Sequence, residues 1–130
     1  MAEASNQDIS QEAGFDEAVE ALCSKDARFK PEAYGFVMAA LSYTLSTLGD
    51  VRHVTGPELL AGVRELALEC FGPMAKDVFN HWGVYTCRDF GDVVFNLVDE
   101  KLLSKTEDDK IEDFEDGFDF EEEFVSKFQW

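Results

Sequence analysis

Apolar residues along this chain recur mostly at three- and four-residue steps, the spacing that turns one face of an α-helix toward a core. Between residues 31 and 48, Tyr34, Val37, Met38, Leu41, Leu45 and Leu48 keep that period. Pro31 suits a first helical turn and Gly49 a C-terminal stop, so a helix is predicted over this span. Thr55-Gly56-Pro57-Glu58 reads as a capping box, in which the threonine hydroxyl takes an orphan amide and the glutamate reaches back to the cap. The helix behind it is predicted to run to Phe71, with Leu59, Leu60, Val63, Leu66, Ala67 and Cys70 as its buried stripe. Gly72-Pro73 ends that helix and opens a short one over residues 73–82, closed by Gly83. Thr86-Cys87-Arg88-Asp89 is a second capping box with Asp in the Glu position, followed by Phe90, Val93, Val94, Leu97, Val98 and Leu102 at helical spacing. A shorter helix over about residues 15–24 would collect Phe15, Ala18, Val19, Leu22 and Cys23 on one side.

These signals predict a mainly α fold, a compact helical domain over residues 15–105. A polar lead-in over residues 1–14 is expected to be disordered, and an acidic C-terminal segment over 106–130 to be partly docked on the domain. Three consecutive helices followed by Leu102-Leu103-Ser104-Lys105 and an Asp-rich turn also match the element order of a winged helix. In that variant the segment after the third helix is a short β-hairpin, and Val84-Tyr85-Thr86 supplies a strand to pair with it. A plain helical bundle is the other topology open at this point. Neither a repeat of 20–50 residues nor a Gly/Ser- or Pro-rich linker divides the chain.

Composition narrows the partners. At 130 residues with 45% hydrophobic and 13% aromatic residues, twelve of them Phe, the chain has enough apolar side chain to build a core without disulfides. A formal net charge of −17 repels phosphate backbones and anionic membranes at long range, so a basic protein partner is expected and nucleic acid is disfavoured. No run reaches the roughly 18–20 continuous apolar residues of a membrane span, which predicts a soluble protein with no membrane partner. Cys23, Cys70 and Cys87 are odd in number and widely spaced, and no charged-then-apolar leader precedes them; a reducing cytoplasm is expected.

Chemistry is sparse in the pattern. The chain carries no phosphate-cradling glycine loop, nucleophile elbow, paired-histidine zinc helix or calcium loop, and no cofactor is expected. His53 before a capped helix could move a proton or meet an anion, but no nucleophile or carboxylate accompanies it in a catalytic motif. Cys70, Cys87, His53 and His81 are the right types for zinc but lack any close pair, so buried or incidental thiols are the better reading.

The acidic segment carries the sharper hypothesis. Residues 107–123 hold eleven Asp or Glu against one Lys, interleaved with Ile111, Phe114, Phe118 and Phe120. Asp113, Phe114, Asp116, Phe118, Asp119 and Phe120 are the candidate contacts for a basic, hydrophobic partner surface. The competing reading packs Phe114, Phe118, Phe120 and Phe124 on this protein's own helices, because each exposed Phe would forgo roughly 1.5–3 kcal/mol. Phe128 and Trp130 close the chain either as part of a last helical turn or as an exposed hook.

Several motifs carry a family resemblance: Ala33-Tyr34-Gly35-Phe36, His53-Val54 to Glu58-Leu59-Leu60, Phe71-Gly72-Pro73, Trp82-Gly83, Asp89-Phe90-Gly91 and Val94-Phe95-Asn96-Leu97-Val98. Over roughly residues 29–124 the chain resembles a small family of hypothetical proteins restricted to Planctomycetes and Verrucomicrobia. No activity is established for that family, so the resemblance implies a bacterial, cytoplasmic origin and brings no site residues.

The sequence therefore favours a non-enzymatic protein-interaction or adaptor module. A nucleic-acid-associated regulator reading through Arg88, Asn96 and Lys101 is the runner-up, and a small enzyme of unknown reaction the third. Gathering of Arg52, Arg64, Lys76 and Arg88 on one face would favour the runner-up. A pocket holding His53 or His81 with a carboxylate in hydrogen-bond reach would favour the enzyme.

Overall fold

Phe79 is fully buried and its ring lies within 4.9–6.3 Å, centroid to centroid, of Phe36, Phe71, Trp82, Phe90, Phe120 and Phe124. The computed structural model that shows this describes residues 3–4, 12–48, 54–105, 109–115 and 117–126. Its elements are β1 (Glu3–Ala4), α1 (Glu12–Lys25), α2 (Pro31–Leu48), α3 (Gly56–Phe71), α4 (Ala75–His81), α5 (Cys87–Asp99) and β2 (Leu103–Ser104). Short 3-10 turns follow at Gly72–Met74 and Ile111–Phe114, and a π-helical turn at Glu122–Ser126. The domain is mainly helical, and its core is shared by all five helices and the C-terminal segment.

Local sequence sets the helix ends. Glu58 N donates to Thr55 Oγ1 at 3.2 Å while Thr55 N donates to Glu58 Oε1 at 3.0 Å, so the capping box of α3 is complete. At α5, Asp89 N donates to Thr86 Oγ1 at 3.2 Å, and Asp89 Oδ2 accepts from both Tyr85 N and Thr86 N. α5 stops at Asp99, short of the Leu102 suggested by periodicity, where Lys101 takes a positive φ of 62° and breaks the helical run.

Two expectations are corrected by packing. Tyr34, Val37 and Leu41 of the α2 stripe are buried as their spacing predicts, joined by Ala33, Phe36 and Ala40 against α3 and α5, whereas Leu48 at the end of the stripe is exposed. Cys70, placed on the stripe of α3, is exposed. The wing of a winged helix is also replaced. β2 pairs antiparallel with β1, Leu103 opposite Ala4, and Val84-Tyr85-Thr86 is irregular, with Tyr85 exposed.

After β2 the chain returns across the helices. Phe114 is fully buried against α3 and α5, beside Gly56 and Gly91; a Cβ on Gly91 would lie 2.9 Å from the Phe114 side chain. The described residues 109–115 and 117–126 are thus built against the core. At the α1–α2 turn, Asp26 accepts from Arg28 and from Asn96 Nδ2 at 3.1 Å, and the same Asn96 Nδ2 donates to Tyr34 Oη at 3.1 Å. Arg28 also pairs with Asp92 at 3.1 Å, so the α1–α2 turn is tied to α5 by a polar network.

Three substitutions test this arrangement. Phe79→Ala removes the hub of the ring cluster and is expected to cost about 3–5 kcal/mol in denaturant unfolding, the range for large core truncations. Phe118→Ala, only half-buried, is expected to cost under about 2 kcal/mol. Gly91→Ala should lower the unfolding free energy by about 1–3 kcal/mol through overpacking against Phe114.

Candidate interaction site

The C-terminal segment alternates side chains that want opposite environments, and docking separates them. Phe114, Phe120 and Phe124 are buried, Phe120 and Phe124 one helical turn apart against Phe79. Phe118 is half-buried and stacks on Phe120 at 5.7 Å. Glu112, Glu115, Asp119, Glu121 and Glu122 remain exposed. Between the two sets the chain crosses Cys87 at Gly117, where a Cβ would come within 2.6 Å of Cys87 Sγ. The thiol bonds the strap directly: Phe118 N donates to Cys87 Sγ, and Cys87 Sγ to Phe118 O, each at 3.3 Å. Burial pushes the Cys87 thiol up to about 11, with the Phe118 amide acting in the other direction.

Three helices each contribute a cation to this segment. Arg64 of α3 meets Glu123 at 4.0 Å, Lys76 of α4 meets Glu121 at 3.7 Å, and Arg88 of α5 bonds Glu115 while lying 3.8 Å from Asp92. All three pairs are partly solvated, so each contributes no more than about 1 kcal/mol. Two clefts flank Phe118. One is walled by Pro57, Leu60, Arg64 and Glu123, the other by Tyr85, Arg88, Glu115 and Asp119.

The predicted contact residues divide accordingly. Asp119 is exposed and its Oδ1 accepts from Glu122 N at 3.0 Å; Asp113 is half-buried and its Oδ2 accepts from Lys110 N at 3.2 Å. Each carboxylate caps a turn of its own segment and keeps acceptor capacity for a partner. Phe114 and Phe120 face the core, so in this arrangement neither ring is presented to a partner. Asp116, like His53, Arg52, Phe128 and Trp130, lies outside the described residues. Of the runner-up set, Arg88 is engaged by Glu115 and Asp92, Asn96 donates to Asp26 and Tyr34, and Lys101 is exposed. Arg64, Lys76 and Arg88 each meet a carboxylate of the chain's own segment, Arg64 also pairing with Glu65 at 3.3 Å. His81 is exposed at the end of α4 and lines neither cleft. Among the described residues no group of three or more His, Cys, Asp or Glu is placed to hold a metal.

Sequence reading missed the ion pairs because each joins residues 27 to 59 positions apart, as in Arg88–Glu115 and Arg64–Glu123. The one available signal was the scarcity of cations, eleven against 28 acidic residues, which makes each Lys or Arg a sought-after partner.

Two outcomes follow from the electrostatics. The Arg28 guanidinium beside Asp26 holds its carboxyl below the usual range, with Asn96 adding to the effect. Its stabilising contribution is therefore complete above the unfolded value of about 3.9 and fades as pH falls below it. Asp26→Asn should cost about 1 kcal/mol at neutral pH, discounted for the exposed Arg28, and flatten the loss of stability below about pH 4 in denaturant titrations. In thiol labelling at neutral pH, Cys70 should react in the folded protein and Cys87 only on unfolding, since Gly117 and Phe118 cover it. No family model, curated protein or solved structure matches this chain.

Proposed function

We propose that this protein is a non-enzymatic interaction module that binds a basic protein surface through the outer, carboxylate-bearing side of its docked C-terminal segment. The observation that supports this reading is the sorting of that segment, with Phe114, Phe120 and Phe124 inside and Glu112, Glu115, Asp119 and Glu121 outside. Eleven of the 28 acidic residues lie between positions 107 and 123. Docking holds Glu112, Glu115, Asp119 and Glu121 exposed on the folded domain, which lowers the ordering cost a partner would otherwise meet. A dense field of one sign also steers a basic partner and speeds its encounter. Of the six candidate contacts, this reading keeps Asp113 and Asp119, sets aside the buried Phe114 and Phe120, and adds the exposed Glu112.

A reducing bacterial cytoplasm fits this reading: all three cysteines are free, and no helix of the described residues is long and apolar enough to cross a membrane. The nucleic-acid reading has less support, because the cations of α3, α4 and α5 already face carboxylates.

The test is affinity capture from nuclease-treated lysate with the full chain and with Glu112→Lys/Asp119→Lys. A basic protein held by the wild type, released by the double variant with helical circular dichroism intact, and weakened by added salt is the expected result. An unchanged set of captured proteins would refute the reading.

A further inference from the structure

The cleft between α3 and the docked segment has two unlike ends. Pro57, Leu60, Ala61 and Arg64 line it at i, i+3, i+4 and i+7, one stripe of α3, and Phe118 lines it from the segment. Three close approaches fix the segment over that stripe. A Cβ on Gly56 would lie 3.2 Å from Asp113 Cβ, a Cβ on Gly117 would lie 3.0 Å from Leu60 Cδ1, and Arg64 meets Glu123 at 4.0 Å. The cleft encloses about 450 Å³, within the roughly 300–1,000 Å³ of clefts that hold ligands.

Charge is divided along its length. Arg64 lies at one end and is already paired with Glu65 at 3.3 Å as well as with Glu123. Asp113, beside Gly56, lies at the other end, about 12 Å of helix rise before Arg64. One Asp113 oxygen accepts from Lys110 N and the other is left to accept. Its neighbour Glu112 is exposed, and the Glu112 carboxylate has no hydrogen-bond or ion-pair partner among the described residues. Leu60, Ala61 and Phe118 make the remaining lining apolar.

From this arrangement we infer that the cleft receives one arginine side chain of the basic partner, its guanidinium meeting Glu112 and Asp113 and its stem lying along Leu60 and Phe118. The inference rests on the proposed function and names the group that this surface reads. Arginine suits the cleft better than lysine, because a guanidinium is planar, weakly hydrated and stacks on an aromatic ring, whereas an ammonium is compact and strongly hydrated. The long stem packs on apolar surface while the charged head stays at the carboxylates. Every lining residue is in place with the segment docked, so binding needs no rearrangement of the fold.

The test measures binding of fluorescein-labelled hexa-arginine and hexa-lysine peptides, equal in charge, to the purified full chain. The wild type is expected to bind hexa-arginine at least about 5-fold more tightly. Ala61→Phe fills the cleft from an exposed position of α3 and leaves every carboxylate in place, whereas Phe118→Leu removes the ring and keeps an apolar side chain. Each is expected to bring hexa-arginine affinity down to that of hexa-lysine and to leave hexa-lysine binding unchanged. If Ala61→Phe loses its helical circular dichroism, Phe118→Leu decides. A wild type without the preference, or a preference that survives in the folded variants, would overturn the inference and leave the proposed function standing, since a surface field alone holds both peptides. Binding of neither peptide by the wild type at low salt would count against the proposed function and the inference together.

Discussion

The structure depends on one ring. Phe79 sits on α4, a helix of seven residues that could not persist alone, and meets six other aromatic rings at once. Those rings come from α2, α3, the end of α4, α5 and the C-terminal segment, so a single buried side chain connects elements that span most of the chain. Most of these pairs are tilted or edge-on, the geometry favoured by the ring quadrupole, and each adds roughly 0.5–1.5 kcal/mol beyond the area it buries.

The hub also accounts for the way a strongly acidic protein is folded at all. Eleven carboxylates close together in sequence repel one another and would keep the segment extended in water. Burial of Phe114, Phe120 and Phe124 offsets that repulsion, and the three ion pairs relieve it where the segment meets the helices. The exposed pairs are individually weak. They set the position of the segment more than its stability, whereas the rings supply the free energy of docking. Function, as proposed here, follows from that division: apolar residues hold the segment down and acidic ones face outward.

Local signals were read well where they are self-contained. Both capping boxes form as their four-residue motifs require, since cap and recipient lie three positions apart and need no tertiary help. α5 carries Phe90, Val93, Val94 and Leu97 on one stripe, and all four are buried because its polar face is unambiguous. On α2, Tyr34, Val37 and Leu41 are buried as their period requires, but neighbouring helices also brought Phe36 and Ala40 inside and left Leu48 outside, because the helix is apolar nearly all round.

The candidate site was half legible. Its location in residues 107–123 followed from composition, because a block of charge interrupted by Phe is visible without a structure. Which side chains face outward was not, since Phe114 needs the space beside Gly91 and Cys87 needs the absent side chain of Gly117, contacts between residues far apart in sequence. By itself, then, the sequence determined a helical protein with defined helix starts, an apolar core and a concentrated acidic segment, all properties of near neighbours along the chain. The tertiary structure alone decided which phenylalanines of this segment enter the core, that β2 pairs with β1, and that three cations meet three carboxylates, because packing is settled by shape and charge between distant residues.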